Sequence, residues 1–435
     1  MTMHTRCTMW RLLAASSLTS TVLSLGACRS DGPTAVSEAP PRIEVSWNRC
    51  GPSVPWLAVQ DGAGPWRRVT ESGGTFAFHL DSARAGVAFV VSTPPTYVEM
   101  QLRFYTAREL QSAHPLCAPV MPAATKRVAG TVAALGALEY SDIALAESEG
   151  YADGFSGVGP FPFTLVNVAS GAADLLAMKR SICQLPPSCA AATAMIIRRA
   201  IDPPDLSVLA PLDFSDTREA FQFVPKTLTV QGLASGETLE VDEAFRSLTT
   251  PLGLEIMSQT NIAPTGSSAR LPYYGVPEER LVNGDTHELL IFAQSVGSAR
   301  ESVVHVHSVA DQSVSLAAAL PAVTMRSSHT SAGATIDAAV AASDDFKTWF
   351  AEYLQGDVDI VVRVSRGYAG SGTVRPSVPN FAGVAGWLPS WGLQAGVPVS
   401  WNLFGVNLDV TTIETPVSRG VPAFQGASRD GQLTP

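Results

Sequence analysis

The 435-residue chain has little charge, with 16% Asp, Glu, Lys and Arg, and it contains no cluster of Lys or Arg. Acids outnumber bases by 39 to 29, for a formal charge of −10. A surface of that sign without a basic patch is not built to neutralise phosphates, which excludes nucleic acid as a partner. Beyond Ala27 there is no apolar run near the roughly 18 residues that a membrane-crossing helix needs. The Gly-X-Ser-X-Gly nucleophile elbow is missing as well. Gly154-Phe-Ser-Gly-Val-Gly159 comes nearest, but the glycine two places after Ser156 is absent. Asp61-Gly-Ala-Gly64 opens no helix and no P-loop Lys-Ser/Thr follows anywhere, so nucleotide binding is not expected. No acidic loop has EF-hand spacing, although Asp357-Val-Asp359 and Asn283-Gly-Asp285 offer oxygens. No cofactor is therefore expected.

What the chain does have is punctuation. Its 35 glycines and 31 prolines are spread along its length, as many short strands joined by turns require. Ile43–Trp47, Trp56–Gln60, Trp66–Thr70, Thr75–Leu80 and Gly86–Val91 read as strands. Val98, Met100, Leu102 and Phe104 alternate with Glu99, Gln101 and Arg103, a period of two that marks a half-buried strand. Thr106-Ala-Arg-Glu109 has the spacing of a capping box and predicts a helical turn or two. Further strands are expected at Ala194–Arg199, Thr227–Gln231, Thr238–Val241, His287–Phe292, Glu301–Val306 and Asp359–Val364, with a short helix over Asp213–Glu219 capped by Asp216. The expected fold is mainly β, several antiparallel β-sandwich-like domains in tandem.

The N-terminus carries Arg6 and Arg11, then a charge-free run from Leu12 to Ala27, ending in Leu25-Gly26-Ala27-Cys28. A cationic start, an apolar middle and small residues before the cut are the order of a secretory signal. The last four residues resemble the lipobox of bacterial lipoproteins. That resemblance implies cleavage after residue 27, acylation of Cys28 and anchoring to a membrane through lipid alone. Several acyl chains on one terminus hold stably where a single chain does not. In Gram-negative members of that class an Asp after the lipid-bearing Cys marks inner-membrane retention. Arg29 stands here, so the resemblance implies the outer membrane. Losing residues 1–27 removes two arginines and no acid, taking the formal charge from −10 to −12. Residues 28–41 read as a tether that keeps the folded part on the order of 20 Å from its anchor. With Cys7 removed and Cys28 acylated, Cys50, Cys117, Cys183 and Cys189 remain. In an exported protein this even set reads as two disulfides, Cys183–Cys189 across a Pro-Pro loop and Cys50–Cys117. The spacing of the four does not suit zinc.

Between residues 128 and 180, Val128-Ala-Gly-Thr-Val132, Phe161-Pro-Phe-Thr-Leu-Val166 and Val168-Ala-Ser-Gly171 follow in order. That order is similar to the prealbumin-like, carboxypeptidase-regulatory β-sandwich, although Gly157-Val-Gly159-Pro160 stands where that family has Asp-Gly. The resemblance implies a module that supports or presents other domains. A generic pair of β hairpins explains the same residues equally well. The expected divisions are 1–27 signal, 28–41 tether, 42–121 β domain, 126–185 prealbumin-like sandwich, 190–325 β domain, 326–412 C-terminal β domain and 413–435 loose tail.

Candidate contact residues come from the aromatics. Three of the seven tryptophans beyond the signal lie within residues 47–66 and three within 387–401. They read as core for each end unit, with Trp56, Trp66, Trp387 and Trp391 as candidate ligand contacts beside Tyr273 and Tyr274. His305-Val-His307 puts two imidazoles on one strand face, where Asp285, His287 or Glu288 could complete a metal site. The alternation of apolar and polar residues favours a solvated face over a metal site, and no metal is expected. The expectation is a non-catalytic, lipid-anchored envelope scaffold that binds a glycan or a protein. The alternative is an exported hydrolase, metal-dependent or using two carboxylates as glycosidases do.

Overall fold

The computed structural model describes residues 42–48, 54–92, 97–113, 125–146, 148–154, 159–181, 188–189, 192–247, 249–250, 259–264, 266–330, 333–414 and 422–435. The signal, Cys28, the tether, Cys50, Cys117 and Cys183 lie outside these residues, and of Cys189 only the backbone lies within them. The fold is mainly β, built from several sheets packed as sandwiches. Among the described residues no helix is long and apolar enough to cross a membrane.

The chain divides into two compact units that do not follow the expected consecutive stretches. Of the described residues, the first takes those within 42–113, 319–414 and 426–435, and the second takes those within 125–318 and 422–425. The reason lies in one pairing. Val98–Thr106 pairs in parallel with Val358–Ser365, Glu99 opposite Asp359 and Leu102 opposite Val362. The expected 42–121 and 326–412 domains therefore share a sheet. The supposedly loose tail joins it too, as Phe424–Leu433 lies antiparallel to Val399–Val406.

In the first unit this sheet runs Val399–Val406, Thr348–Gln355, Val358–Ser365, Val98–Thr106, Arg84–Ser92 and Trp56–Asp61, with Arg67–Arg68 at the far edge. Alternation along each strand separates its two faces. One face carries the register row Trp56, Val90, Met100, Ile360, Tyr353, and beside it Ala58, Ala88, Leu102, Val362, Ala351. All ten of these side chains are buried. The Tyr353 hydroxyl donates to the Pro376 carbonyl at 2.6 Å, tying the segment after Thr373–Val374 over this face.

The other face carries Phe89, Gln101, Val361 and Glu352 in one row, and Val87, Arg103, Arg363 and Phe350 in the next. At one end the antiparallel pair Ile43–Asn48 and Thr75–Leu80 covers it. Val45, Trp47, Phe76 and Phe78 make a core there with Leu57, Val59, Val87 and Phe89. The capping box forms as expected: Thr106 caps the helix Ala107–Ser112, and the Glu109 carboxylate accepts from the Thr106 amide at 2.7 Å. Trp47 Nε1 donates to the Leu110 carbonyl at 3.0 Å and fixes that helix to the core.

The second unit contains two sandwiches. Thr125–Ala133 and Phe161–Ala169 face a five-stranded sheet that includes Glu139–Leu145, Ala173–Ser181 and Ala192–Ile201, closing on Val128, Ile143, Phe163, Leu165 and Leu175. Ala192–Ile201 pairs with Ala173–Ser181, so this sandwich extends past the expected limit at 185. Val224–Gln231 and Ser268–Gly275 face a sheet that includes Thr238–Arg246, Thr286–Ser295 and Ser298–Val306, around Leu228, Leu239, Leu271 and Ile291. The short helix expected over Asp213–Glu219 is not there. Asp216 instead closes a turn, accepting from the Arg218 amide at 3.0 Å, while Glu219 pairs with Arg198 at 2.7 Å.

Candidate functional site

The histidine cluster in the second unit is structural. His287 is 2% exposed. Its Nε2 accepts from the Val276 amide at 2.9 Å, which leaves the proton on Nδ1, 3.1 Å from the His307 carbonyl. Burial pulls its pKa down to about 4, against the upward pull of backbone acceptors. Glu288 receives Arg246 Nε at 2.7 Å and lies 3.5 Å from His305 Nε2. Asp285 is fully buried and takes Arg199 in a bidentate grip at 3.0 and 2.6 Å. The strand ends at Val306, so His307 leaves the face it was expected to share with His305. Its Nδ1 sits 2.7 Å from the Asp285 carbonyl. Among the described residues no three His, Cys, Asp or Glu side chains gather as a metal would require.

The tryptophans behave differently. Those from the two ends of the chain were expected to serve separate cores, yet they meet in the first unit. Trp56 is buried at 1% exposure, and its ring lies 5.1 Å from Trp387, 5.3 Å from Phe381 and 6.4 Å from Trp391. Trp66 packs 5.0 Å from Phe381 and 6.2 Å from Phe104, which in turn lies 5.4 Å from Tyr368. Trp387 and Trp391 are 5.7 Å apart and edge-on. Trp66, Trp387, Trp391 and Tyr368 keep part of their surface in solvent. Of the four candidate contacts, Trp56 is thus the foundation and the other three form the shelf.

Local chemistry explains why these rings can gather. Gly86 lies opposite Phe104, and a β-carbon there would stand 2.9 Å from Trp66 and 3.1 Å from Phe104. Only a bare backbone leaves room for the indole. The Trp387 loop is held from several sides. Trp56 Nε1 donates to the Ala385 carbonyl at 3.2 Å. Gln355, on the central sheet, donates to the carbonyls of Gln394 and Val397 at 3.0 and 2.9 Å and accepts from the Gln394 amide at 2.6 Å. A small, shallow dimple adjoins the shelf, lined by Met100, Ala334, Val378, Phe381, Trp387 and Leu393. An anchored loop bearing partly open indoles beside a dimple can stack flat, weakly polar faces at little cost in side-chain order.

The opposite face of the same sheet carries charge that sequence reasoning did not single out. Glu414, on the helix Val410–Glu414, has one oxygen within 2.8 Å of Arg103 Nε and Arg363 Nη1 and accepts from the Tyr105 hydroxyl at 2.6 Å. Burial would raise its pKa, but the two guanidiniums overcome that and hold it down at about 2. Farther along, Arg103 donates to Gln101 at 2.5 Å, and Gln101 donates to Glu99. Glu99, Glu352 and Asp359 repel one another there. Burial, with that repulsion, raises Glu352 to about 7 and Asp359 to about 6, although Tyr97 donates to Asp359 at 2.7 Å. Asp359 is only 3% exposed and so lacks the access that a glycosidase acid or base needs, whereas Glu99 and Glu352 keep part of their surface in solvent.

Of the remaining candidates, Tyr273 is fully buried, with its hydroxyl on the Ala310 carbonyl, which removes it from contact with a ligand. Tyr274 is partly buried.

No family model matches the chain, and no curated protein matches it. Solved structures do. One is an adhesin, stabilised by calcium, that helps an Antarctic bacterium reach out and bind ice. It shares 9% identity over 92% of this chain and 94% of its own, with a TM-score of 0.15. Another, the chicken CNTN1 FN1–FN3 domains, shares 8% identity over 88% and 99% of the two chains, with a TM-score of 0.16. At such TM-scores the likeness carries no inference about this chain.

Proposed function

We propose that this chain is an exported lipoprotein, held to the outer membrane by acyl groups on Cys28, whose β scaffold binds an envelope or environmental glycan on the tryptophan shelf. The assembly of Trp66, Trp387 and Trp391 over buried Trp56, with solvent-facing surface left on all three, carries the reading. Indoles that served only packing would have no need of an anchored loop that keeps them partly open. A sugar ring offers the flat C–H face such rings accept. The Leu25–Cys28 motif supports the address.

A glycan array probed with the full chain in detergent tests the binding part. Bound glycans whose signal disappears in a Trp387→Ala/Trp391→Ala variant that is still folded at the assay temperature, as its circular dichroism shows, support it. No bound glycan, or binding that survives the double substitution, overturns it. Intact-mass analysis of the chain from its native membrane tests the anchor, which fails if residues 1–27 are present or Cys28 is unmodified.

A further inference from the structure

The shelf has charged flanks. The protein is acidic, and many of its arginines are neutralised: Arg198, Arg199, Arg246, Arg300, Arg363 and Arg366 each pair with a carboxylate. Arg108, Arg127, Arg270 and Arg326 are exposed without a carboxylate partner among the described residues but stand away from the indoles' ring contacts. Arg68 and Arg84 are exposed, and among the described residues no acid pairs with either of them. Both stand at the aromatic band. Arg68 lies opposite Ala58, two residues after Trp66, on the sheet face that carries Trp56 and Ala58. Its guanidinium lies against Gly386, immediately before Trp387. A side chain at Gly386 would collide with it, and the φ of 75° there suits glycine. Arg84 reaches toward Gly370 at the other end, beside Tyr368, whose phenol feels its charge. Between them run the ring contacts Tyr368–Phe104, Phe104–Trp66, Trp66–Phe381 and Phe381–Trp387, each spanning 5.0 to 6.2 Å.

Resting on the glycan reading, we infer that the ligand is an acidic polysaccharide, a uronate-bearing chain whose rings lie on the indoles while its carboxylates meet Arg68 and Arg84. Two unpaired guanidiniums separated by an aromatic band suit a polymer that alternates apolar ring faces with carboxylates. A planar guanidinium is the side chain that takes a carboxylate through two parallel hydrogen bonds. A neutral glycan would leave both arginines without a counter-charge. In a protein of net negative charge, such a local reversal of sign favours the approach of an acidic ligand.

Titration calorimetry with the full chain in detergent, using tetragalacturonic acid and its fully methyl-esterified counterpart, separates charge from ring stacking. The free acid is expected to bind about tenfold more tightly at low ionic strength, a preference of the size two exposed ion pairs supply and one that added salt erodes. Arg68→Ala/Arg84→Ala should bring the acid down to the ester while leaving the ester's affinity unchanged. Trp387→Ala/Trp391→Ala should abolish both. Equal affinity for acid and ester, or a preference that survives the arginine substitutions, overturns the inference and leaves the glycan reading standing. So does binding confined to neutral glycans on the array. Absence of all glycan binding overturns both.

Discussion

The two faces of the first unit's sheet differ in what holds their side chains. On the aromatic face, large rings touch edge to face; Trp56, Phe381 and Phe104 are buried while Trp66, Trp387 and Trp391 stay partly open. On the charged face, Glu414 stands 2.8 Å from both Arg103 and Arg363 and accepts from Tyr105, and the side chains of all four are buried. Stacked rings tolerate partial exposure because each contact is small and non-directional. A buried ion triad does not, because each charge depends on the others for its solvation. The aromatic face can therefore be lent to a ligand, and the charged face is committed to the fold.

Substitutions should expose that difference. Glu414→Gln leaves two buried guanidiniums without a counter-charge and should cost about 3–5 kcal/mol in urea unfolding of the first unit. A loss within the usual range for exposed pairs would put the triad on the same footing as the aromatic face. Gly86→Ala forces Trp66 and Phe104 apart and should cost about 1–3 kcal/mol while weakening glycan binding. Wild-type affinity in that variant would remove Trp66 from the shelf. Trp387→Ala should lose binding by more than tenfold while costing only about 1–2 kcal/mol, since the indole is half open. A larger stability loss would make it core.

The smallest effect is a pH dependence. Glu352 is raised from 4.5 to about 7, so it favours folding fully below pH 4.5 and loses that contribution as pH climbs through 7. Glu352→Gln should flatten the melting temperature of the first unit across that window and raise it at pH 8. His287 in the second unit has the opposite sign: lowered from 6.5 to about 4, it favours folding above 6.5 and loses that as pH falls through 4. If acidification from pH 6.5 to 4 leaves the second unit's melting temperature unchanged, that assignment fails.

Features written in neighbouring residues were legible in the sequence. Thr106 and Glu109 announced their cap, and Val98 to Phe104 announced their faces, because three residues or two fix the geometry. The shelf was only half visible. Its tryptophans could be named, but the bond from Trp56 to Ala385 spans 329 positions, and no local pattern records such a meeting. The Glu414 triad was invisible for the same reason, its members falling on two strands and a helix far apart in the chain. Phe424–Leu433 was missed because Gln425-Gly-Ala-Ser-Arg-Asp-Gly-Gln432 has no apolar alternation. Its strand conformation comes from the partner Val399–Val406, not from its own propensity.

The parallel contact between Val98–Thr106 and Val358–Ser365 also sets an order of events during biogenesis. As the polypeptide emerges vectorially, the early half of that sheet has no partner until more than two hundred further residues have been made. Meanwhile it presents a bare ladder of amides and carbonyls, the kind of edge that recruits stray strands. The inserted unit, whose strands are all nearer neighbours in sequence, can finish first. Chaperones would thus have most to do for the N-terminal segment, and a product interrupted near residue 320 would be a seed for clumping rather than a shortened working protein.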